Sequence, residues 1–324
     1  MIKVDKKDRG ILYQLDLNSR QSLRSIGDKV HLKKNVVQYR IEKLVNSGII
    51  KNFYTSINFH KLGFINLGIH IRYQYNTPEI EKDIIQYFID SQYSWFIANV
   101  QGNFDLLVLF SVKNMNQFFT FWKNTMIKFR YYIEKANISF FTKTHYLPSS
   151  YLNEDYDNIN RMKYEIIDGG NQIIIDKYDF NILKQISLNS RKPIIEVAKD
   201  LNVSSAMIVN RLKKLVKNKV INGYRINLDY SKLGLQLFNV KYSLKNYEKS
   251  RIIIDYAKVN PHLISASEVI GDWDLSLIYY IQDYSNLHEI INDILNHFSN
   301  SIKNRMTFSY PNIYKMNYIP NLKI

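Results

Sequence analysis

An internal repeat constrains this chain more than any other feature. Asp8 to Arg20 (DRGILYQLDLNSR) returns at Asp179 to Arg191 (DFNILKQISLNSR). The offset of 171 holds without a gap from Asp8–Gly63 to Asp179–Gly234. Over that stretch 16 of 56 positions are identical, and many others exchange one apolar residue for another. Farther on, Gly102-Asn103-Phe104-Asp105 answers Gly271-Asp272-Trp273-Asp274 at an offset of 169. A period near 170 residues is too long for a solenoid and indicates duplicated domains.

Each copy divides in two. In the first, Ile11, Leu12 and Leu15, then Leu23, Ile26 and Val30, then Val36, Val37, Ile41, Leu44 and Val45 carry helical spacing. A tight turn separates the second and third helices, Gly48 ends the third, and 49–57 reads as extended. Three helices and a strand describe a winged helix-turn-helix in which Val36, Val37, Ile41 and Leu44 face inward. The remainder alternates strand (67–75), helix (78–91), strand (95–101), strand (105–113), helix (115–129) and strand (136–146). Copy two follows with 238–244, 248–259, 263–270, 274–281, 287–298 and 304–314. That order, βαββαβ, is ferredoxin-like. The expected class is α+β, with two winged helix-turn-helix domains (1–63 and 176–234) alternating with two ferredoxin-like effector and assembly domains (64–148 and 235–324). Residues 149–175 read as a linker with a hairpin at Gly169-Gly170. The bodies are expected to pack sheet to sheet within the chain.

Charge separates function classes. The net charge of +15 could reflect the Lys-, Ile-, Asn- and Tyr-rich composition of an A+T-rich genome. It instead divides as +8 over 1–63 and +7 over 176–234, leaving −1 for 64–175 and +1 for 235–324. A compositional bias would spread evenly; two basic helical modules on neutral bodies are the footprint of double-stranded DNA binding. The absence of cysteine excludes disulfides, thiolate zinc sites and a cysteine nucleophile. Neither a signal-peptide core at Met1–Arg9 nor an 18-residue apolar run is present, so a cytoplasmic, nucleoid-associated protein without membrane contact is expected. The histidines (31, 60, 70, 145, 262, 288 and 297) lack metal-ligand spacing. No metal or cofactor is implied, and the chain is expected not to be an enzyme.

The helix-turn-helix opening at Asp8–Arg20, the run Arg40-Ile41-Glu42-Lys43-Leu44 before Gly48-Ile49-Ile50, and the βαββαβ body with its Gly-x-x-Asp turn resemble the Lrp/AsnC transcription regulators of bacteria and archaea. Arg211-Leu212-Lys213-Lys214-Leu215 and Val220-Ile221 repeat the match in copy two. Usual members carry one copy and pair their bodies, so this chain resembles a dimer fused in tandem. The resemblance implies an intrachain pseudo-dimer, with higher homo-oligomers by analogy. It also implies an amino acid or related metabolite bound near the turn between body strands two and three, here Gly102, Asn103 and Asp105 and Gly271, Asp272 and Asp274.

In a helix-turn-helix the N-terminal part of the third helix faces base edges. That surface is Lys33, Lys34, Asn35, Gln38 and Tyr39 in copy one, with Arg40 on phosphate or bracing the helix, and Ser22, Arg24 and Lys51 as backbone anchors. Copy two offers Ser204, Ser205, Ala206, Val209 and Asn210, then Arg211, Lys213 and Lys214. Asn and Gln suit adenine, and Lys suits guanine or phosphate. The two heads therefore are expected to read different half-sites. Two alternatives stand beside regulation. Sirohaem decarboxylases resemble this architecture but need His and Arg in the body, and 97–110 and 265–280 contain neither. Nonspecific chromatin packing would use charge alone.

Overall fold

The computed structural model describes residues 4–153 and 165–317. The first head comprises α1 (Lys6–Leu17), α2 (Leu23–Val30), α3 (Lys34–Asn46) and the wing strand β1 (Ile50–Ile57). Asp5 opens α1 with a capping box: its carboxylate accepts from the Asp8 amide, and the Asp8 carboxylate accepts from the Asp5 amide. His31, at φ 55°, makes the turn between α2 and α3. The first body follows as β2 (Ile65–Tyr73), α4 (Pro78–Asp90), β3 (Ser94–Asn99), β4 (Leu106–Val112), α5 (Met115–Phe129) and β5 (Ile133–Tyr146). After β6 (Glu165–Asp168) the second head repeats the plan in α6 (Lys177–Ser187), α7 (Ile194–Asp200), α8 (Ser205–Lys217) and β7 (Ile221–Leu228). The second body is β8 (Gln236–Leu244), α9 (Ser250–Ala257), β9 (Leu263–Ile270), β10 (Leu275–Ile281), α10 (Tyr284–Phe298), β11 (Ile302–Ser309) and β12 (Ile313–Met316). The chain is thus α+β, with two winged helix-turn-helix heads and two βαββαβ bodies.

The wings are exchanged. β1 pairs antiparallel with β7, placing Phe53 opposite Ile226 and Tyr54 opposite Arg225. Ile226 and Leu228 consequently complete the core of head one beside Ile11, Leu12 and Leu15. Ile57 packs with Ile182, Leu183 and Leu215 in head two. Ser19 and Ser190, equivalent residues of the two copies, meet hydroxyl to hydroxyl at 2.6 Å. The Arg20 guanidinium donates to the Ser190 carbonyl, and that of Arg191 to the Ser19 carbonyl. These reciprocal contacts mark a pseudo-two-fold axis through the heads.

The bodies share one ten-stranded sheet, ordered β11-β8-β10-β9-β5-β2-β4-β3-β12, with β6 beside β5. They join edge to edge at β5–β9 and at β3–β12. Gln101, just after β3, bridges Ser309 at the end of β11, so the path closes on itself and the two inner faces oppose each other. Alternation assigns the faces. Leu67, Ile69 and Ile71 of β2 pack beneath helices with Ile84, Phe88 and Phe118, while His70 points to the other body. Two expectations require correction. The single last strand expected over 304–314 breaks near Pro311, which lacks an amide hydrogen: β11 stays with β8 and β12 crosses to β3. No hairpin forms at Gly169-Gly170, because β6 pairs with β5 instead. The part of the expected linker at 154–164 lies outside the described residues.

Candidate nucleic-acid interface and effector cleft

Helix α3 presents Lys34, Asn35, Gln38 and Tyr39 to solvent, with Lys33 at its N-cap, and buries Val37, Ile41 and Leu44. Tyr39 is 66% exposed. Val36, expected to face inward, is 39% exposed, because it lies about 100° around the helix from Val37. Gln38 donates to Glu42 at 3.0 Å. Arg24, Lys33 and Lys34 gather with His31 around a shallow depression of about 660 Å³ at the helix-turn-helix turn. The Ser22 hydroxyl caps α2 by accepting from the Ser25 amide. Lys51 lies 3.7 Å from Asp229 of copy two. Arg40 is turned inward along the head: its guanidinium donates to Asp5 and Asp8, both at 2.7 Å, bracing α3 against the start of α1. Arg211 repeats this brace with Asp176 and Asp179 at 2.8 Å.

Head two differs where it would face DNA. Ser204 caps α8 through the Met207 amide, a bond that Lys33 does not make. Ser205 is half-buried, while Ala206, Val209, Asn210, Lys213 and Lys214 are exposed. Ile195, 74% exposed, stands where head one has Arg24. The cation cluster of head one therefore has no counterpart in head two, whose lysines lie farther along the helix.

In the bodies, both Gly-x-x-Asp turns converge on one cleft of about 320 Å³. Asn103, Phe104, Asp272 and Trp273 line it together with Arg72, Lys135, Asn137, Ser243, Asn304 and Met306. The glycines serve the junction between bodies. Gly102 (φ +140°) has Thr307 O 3.3 Å from an added Cβ; at Gly271 (φ +151°) the atom met is Ile138 O, at 2.9 Å. The expected aspartate sites divide. Asp105 and Asp274 turn away onto backbone, accepting from the amides of Tyr73 and Leu244 at 2.7 Å. Asp272 stays at the cleft rim, exposed, with the Asn137 amide donating to it across the junction.

Sequence reasoning missed a buried polar pair between the two bodies. His70 and Lys241 occupy equivalent positions on β2 and β8, and their nitrogens stand 3.4 Å apart, both side chains buried. Burial pushes the Lys241 amine down to about 7. Burial, then the neighbouring lysine, holds His70 well below the usual imidazole range. Two polar residues on otherwise apolar strands at the same repeat position were the available signal. Among the described residues, no group of three or more His, Asp or Glu could hold a metal ion, and no helix is long and apolar enough to cross a membrane.

Comparison with known proteins supports the two winged helix-turn-helix heads. The winged helix-turn-helix DNA-binding family model matches residues 4–51 and 175–222. An uncharacterised HTH-type transcriptional regulator of Pyrococcus furiosus is 31% identical over 121 residues, which is 37% of this chain and 82% of that protein. The HTH-type transcriptional regulator LrpA of Bacillus subtilis is 33% identical over 110 residues, 34% of this chain and 79% of LrpA. The siroheme decarboxylase NirDL shares the fold over 96% of this chain and 93% of its own, with TM-score 0.64 and 10% identity. That finding overturns the expectation that the chain is not an enzyme, because the architecture matched from end to end is one that an enzyme uses. At the level of family, two motif matches and relatives covered over 79–82% of their length agree: the chain belongs to the Lrp/AsnC-type winged helix-turn-helix transcription regulators, as a tandem duplication of their subunit plan.

Proposed function

We propose that this regulator binds DNA sequence-specifically as a fused pseudo-dimer whose heads read different half-sites, and that its bodies sense an amino acid or related metabolite at the Gly-x-x-Asp turns. The observation that carries the first part is the difference between the two reading surfaces. Head one sets exposed Lys33, Lys34, Asn35, Gln38 and Tyr39 before the groove, and head two sets Ser204, Ala206, Val209 and Asn210 there. A homodimer presents one surface twice and favours a palindrome; a fused chain is free to favour an asymmetric operator. Arg24 and Lys51 serve as phosphate anchors of head one, and Lys213 and Lys214 of head two. Arg40 and Arg211 act as braces for the reading helices.

Selection of bound fragments from random DNA tests this directly. An asymmetric operator is expected, with Asn35→Ala relaxing one half-site and Asn210→Ala the other. Equal relaxation of both halves by each change would refute the division of labour. Replacing Lys33, Lys34 and Lys51 together should reduce the salt slope of binding by roughly one per lost phosphate contact, and an unchanged slope would refute the assignment.

A second reading, sirohaem decarboxylation, rests on the whole-chain fold match and on His70 and Arg72 sharing the inward face of β2. Incubation with sirohaem tests it: a tetrapyrrole absorbance spectrum unchanged by the protein removes this reading.

A further inference from the structure

We propose that Glu42 reads a base: it selects cytosine at one position of the half-site bound by head one, and head two, with Lys213 in the same place, makes no such choice. This rests on sequence-specific binding by the heads and names a specificity-determining residue within it.

Helix geometry puts Glu42 on the reading surface. Gln38, Tyr39 and Glu42 follow Asn35 by three, four and seven residues, and all four are exposed on the face opposite the buried Val37, Ile41 and Leu44. A recognition helix that reads bases from four positions uses this same spacing. Cations flank the stripe at both ends of α3. Arg24, Lys33 and Lys34 surround the depression at its N-terminal end. Glu42 itself lines a second depression of about 600 Å³, toward the C-terminal end, shared with Lys51 of the wing and Arg191 of head two. Phosphates held at both ends leave base edges, not backbone, opposite residues 35–42.

The chemistry of a carboxylate then narrows the choice. It accepts hydrogen bonds and cannot donate, so a phosphate only repels it. In head one Asp5 and Asp8 are bound by Arg40 and Asp16 by Arg225, whereas Glu42 has no ion pair among the described residues. Its Oε1 accepts from the Gln38 side-chain amide at 3.0 Å, which holds the side chain along the helix and leaves Oε2 for a base. In the major groove only the amino groups of cytosine and adenine donate. Adenine carries the N7 acceptor beside its amino group, and cytosine has no acceptor on that edge, so cytosine is the better partner. Guanine and thymine present O6, N7 or O4 and repel the carboxylate. Copy two lacks the whole arrangement: Val209 stands for Gln38 and Lys213 for Glu42. At this place Lys213 adds affinity through phosphate, while Glu42 adds discrimination.

The experiment measures binding of the full chain to its selected operator and to variants carrying each of the four base pairs at every position. It compares the unchanged protein with Glu42→Ala and Glu42→Gln. One position of half-site one is expected to prefer cytosine about ten- to a hundredfold over guanine and thymine. Glu42→Ala is expected to flatten that position alone, chiefly by tightening binding to the guanine and thymine variants. Glu42→Gln is expected to move the preference to adenine, whose N6 and N7 a carboxamide pairs. Glu42 is exposed, the glutamine is nearly isosteric, and circular dichroism confirms that both variants are folded. A preference for another base at the Glu42-dependent position, or base preferences that Glu42→Ala leaves unchanged or weakens equally everywhere, overturns this proposal and leaves the division of labour between the heads standing. Absence of base preference at every position overturns sequence-specific reading and the proposal with it.

Discussion

Asp16 and Arg225 form the contact whose disruption is expected to cost most. The Arg225 guanidinium donates to both Asp16 carboxylate oxygens, at 3.1 and 2.7 Å, and to the Leu147 carbonyl at 2.7 Å. The Ser149 amide donates to Asp16 as well, at 2.7 Å. The side chains are 4% and 8% exposed. Three pieces of chain meet here: α1 of head one, the wing of head two and the segment leaving β5. Arg225→Met would leave a buried carboxylate without its guanidinium, and Asp16→Asn a buried guanidinium without its counter-charge. Removing one partner of such a pair costs about 3–5 kcal/mol. At about 1.4 kcal/mol per decade that is two to more than three decades of hydrogen-exchange protection in α1 and β7. Copy two shows how the site is otherwise built, because the equivalent positions hold Ser187 and Tyr54. The double change Asp16→Ser with Arg225→Tyr removes both charges together and is expected to cost at least about 2 kcal/mol less than Asp16→Ser and Arg225→Tyr made singly and summed. Single variants costing under about 1 kcal/mol, or a double variant no milder than the sum, would refute the reasoning.

Three further outcomes are expected. Lys241 titrates near 10.5 when unfolded and about 7 when folded, so the unfolded chain binds the extra proton between those values. Stability of the body pair should therefore rise with pH from 7 toward 10, by about 1.4 kcal/mol per unit from this group, and Lys241→Met should flatten the slope seen by tryptophan fluorescence. Gly271→Ala should cost about 1–3 kcal/mol and lower protection across β5–β9, since its Cβ would sit 2.9 Å from Ile138 O at φ +151°; unchanged melting would count against the close approach. If Ala206 and Val209 read thymine methyl groups, replacing thymine by uracil in the second half-site should weaken binding about tenfold, and Val209→Ser should abolish that sensitivity.

The division into heads and bodies was legible because each element carries its own periodicity and the repeat tests it twice. Pairing between elements was less legible. The apolar pattern of Ile50–Ile57 marks a strand, but an extended segment does not record its partner, and β7 of the other copy supplies it. Nor did spacing separate the two aspartates of the second turn. Asp272 reaches the cleft and Asp274, two residues on, bonds backbone, a distinction that depends on where the end of β8 arrives. Arg40 was readable as a brace or a phosphate ligand, and the placement of Asp5 and Asp8 on α1 commits its guanidinium. Arg72 and Lys135 escaped notice because they become neighbours only through the pairing of β2 with β5.

Fusion changes what can be built on a two-fold axis. In a homodimer a residue there faces its own copy, so a lysine at the Lys241 position would stand against a second buried lysine at about the same 3.4 Å. Two like charges at that distance without solvent are strongly disfavoured, and the site would tolerate only self-compatible residues. Once the copies share a chain, one position can be His70 and the other Lys241. In the same way one wall can hold Lys135 and the other Asp272, and one junction can hold Asp16 with Arg225. Among the contacts that remain reciprocal are Ser19 with Ser190 and the paired bonds of Arg20 and Arg191. These set how one head sits against the other, and the half-sites on a DNA duplex fix that geometry whatever their sequences are. Symmetry has thus been kept where one head meets the other and lost at the cleft, the buried axis and the reading helices, where fused copies are free to diverge.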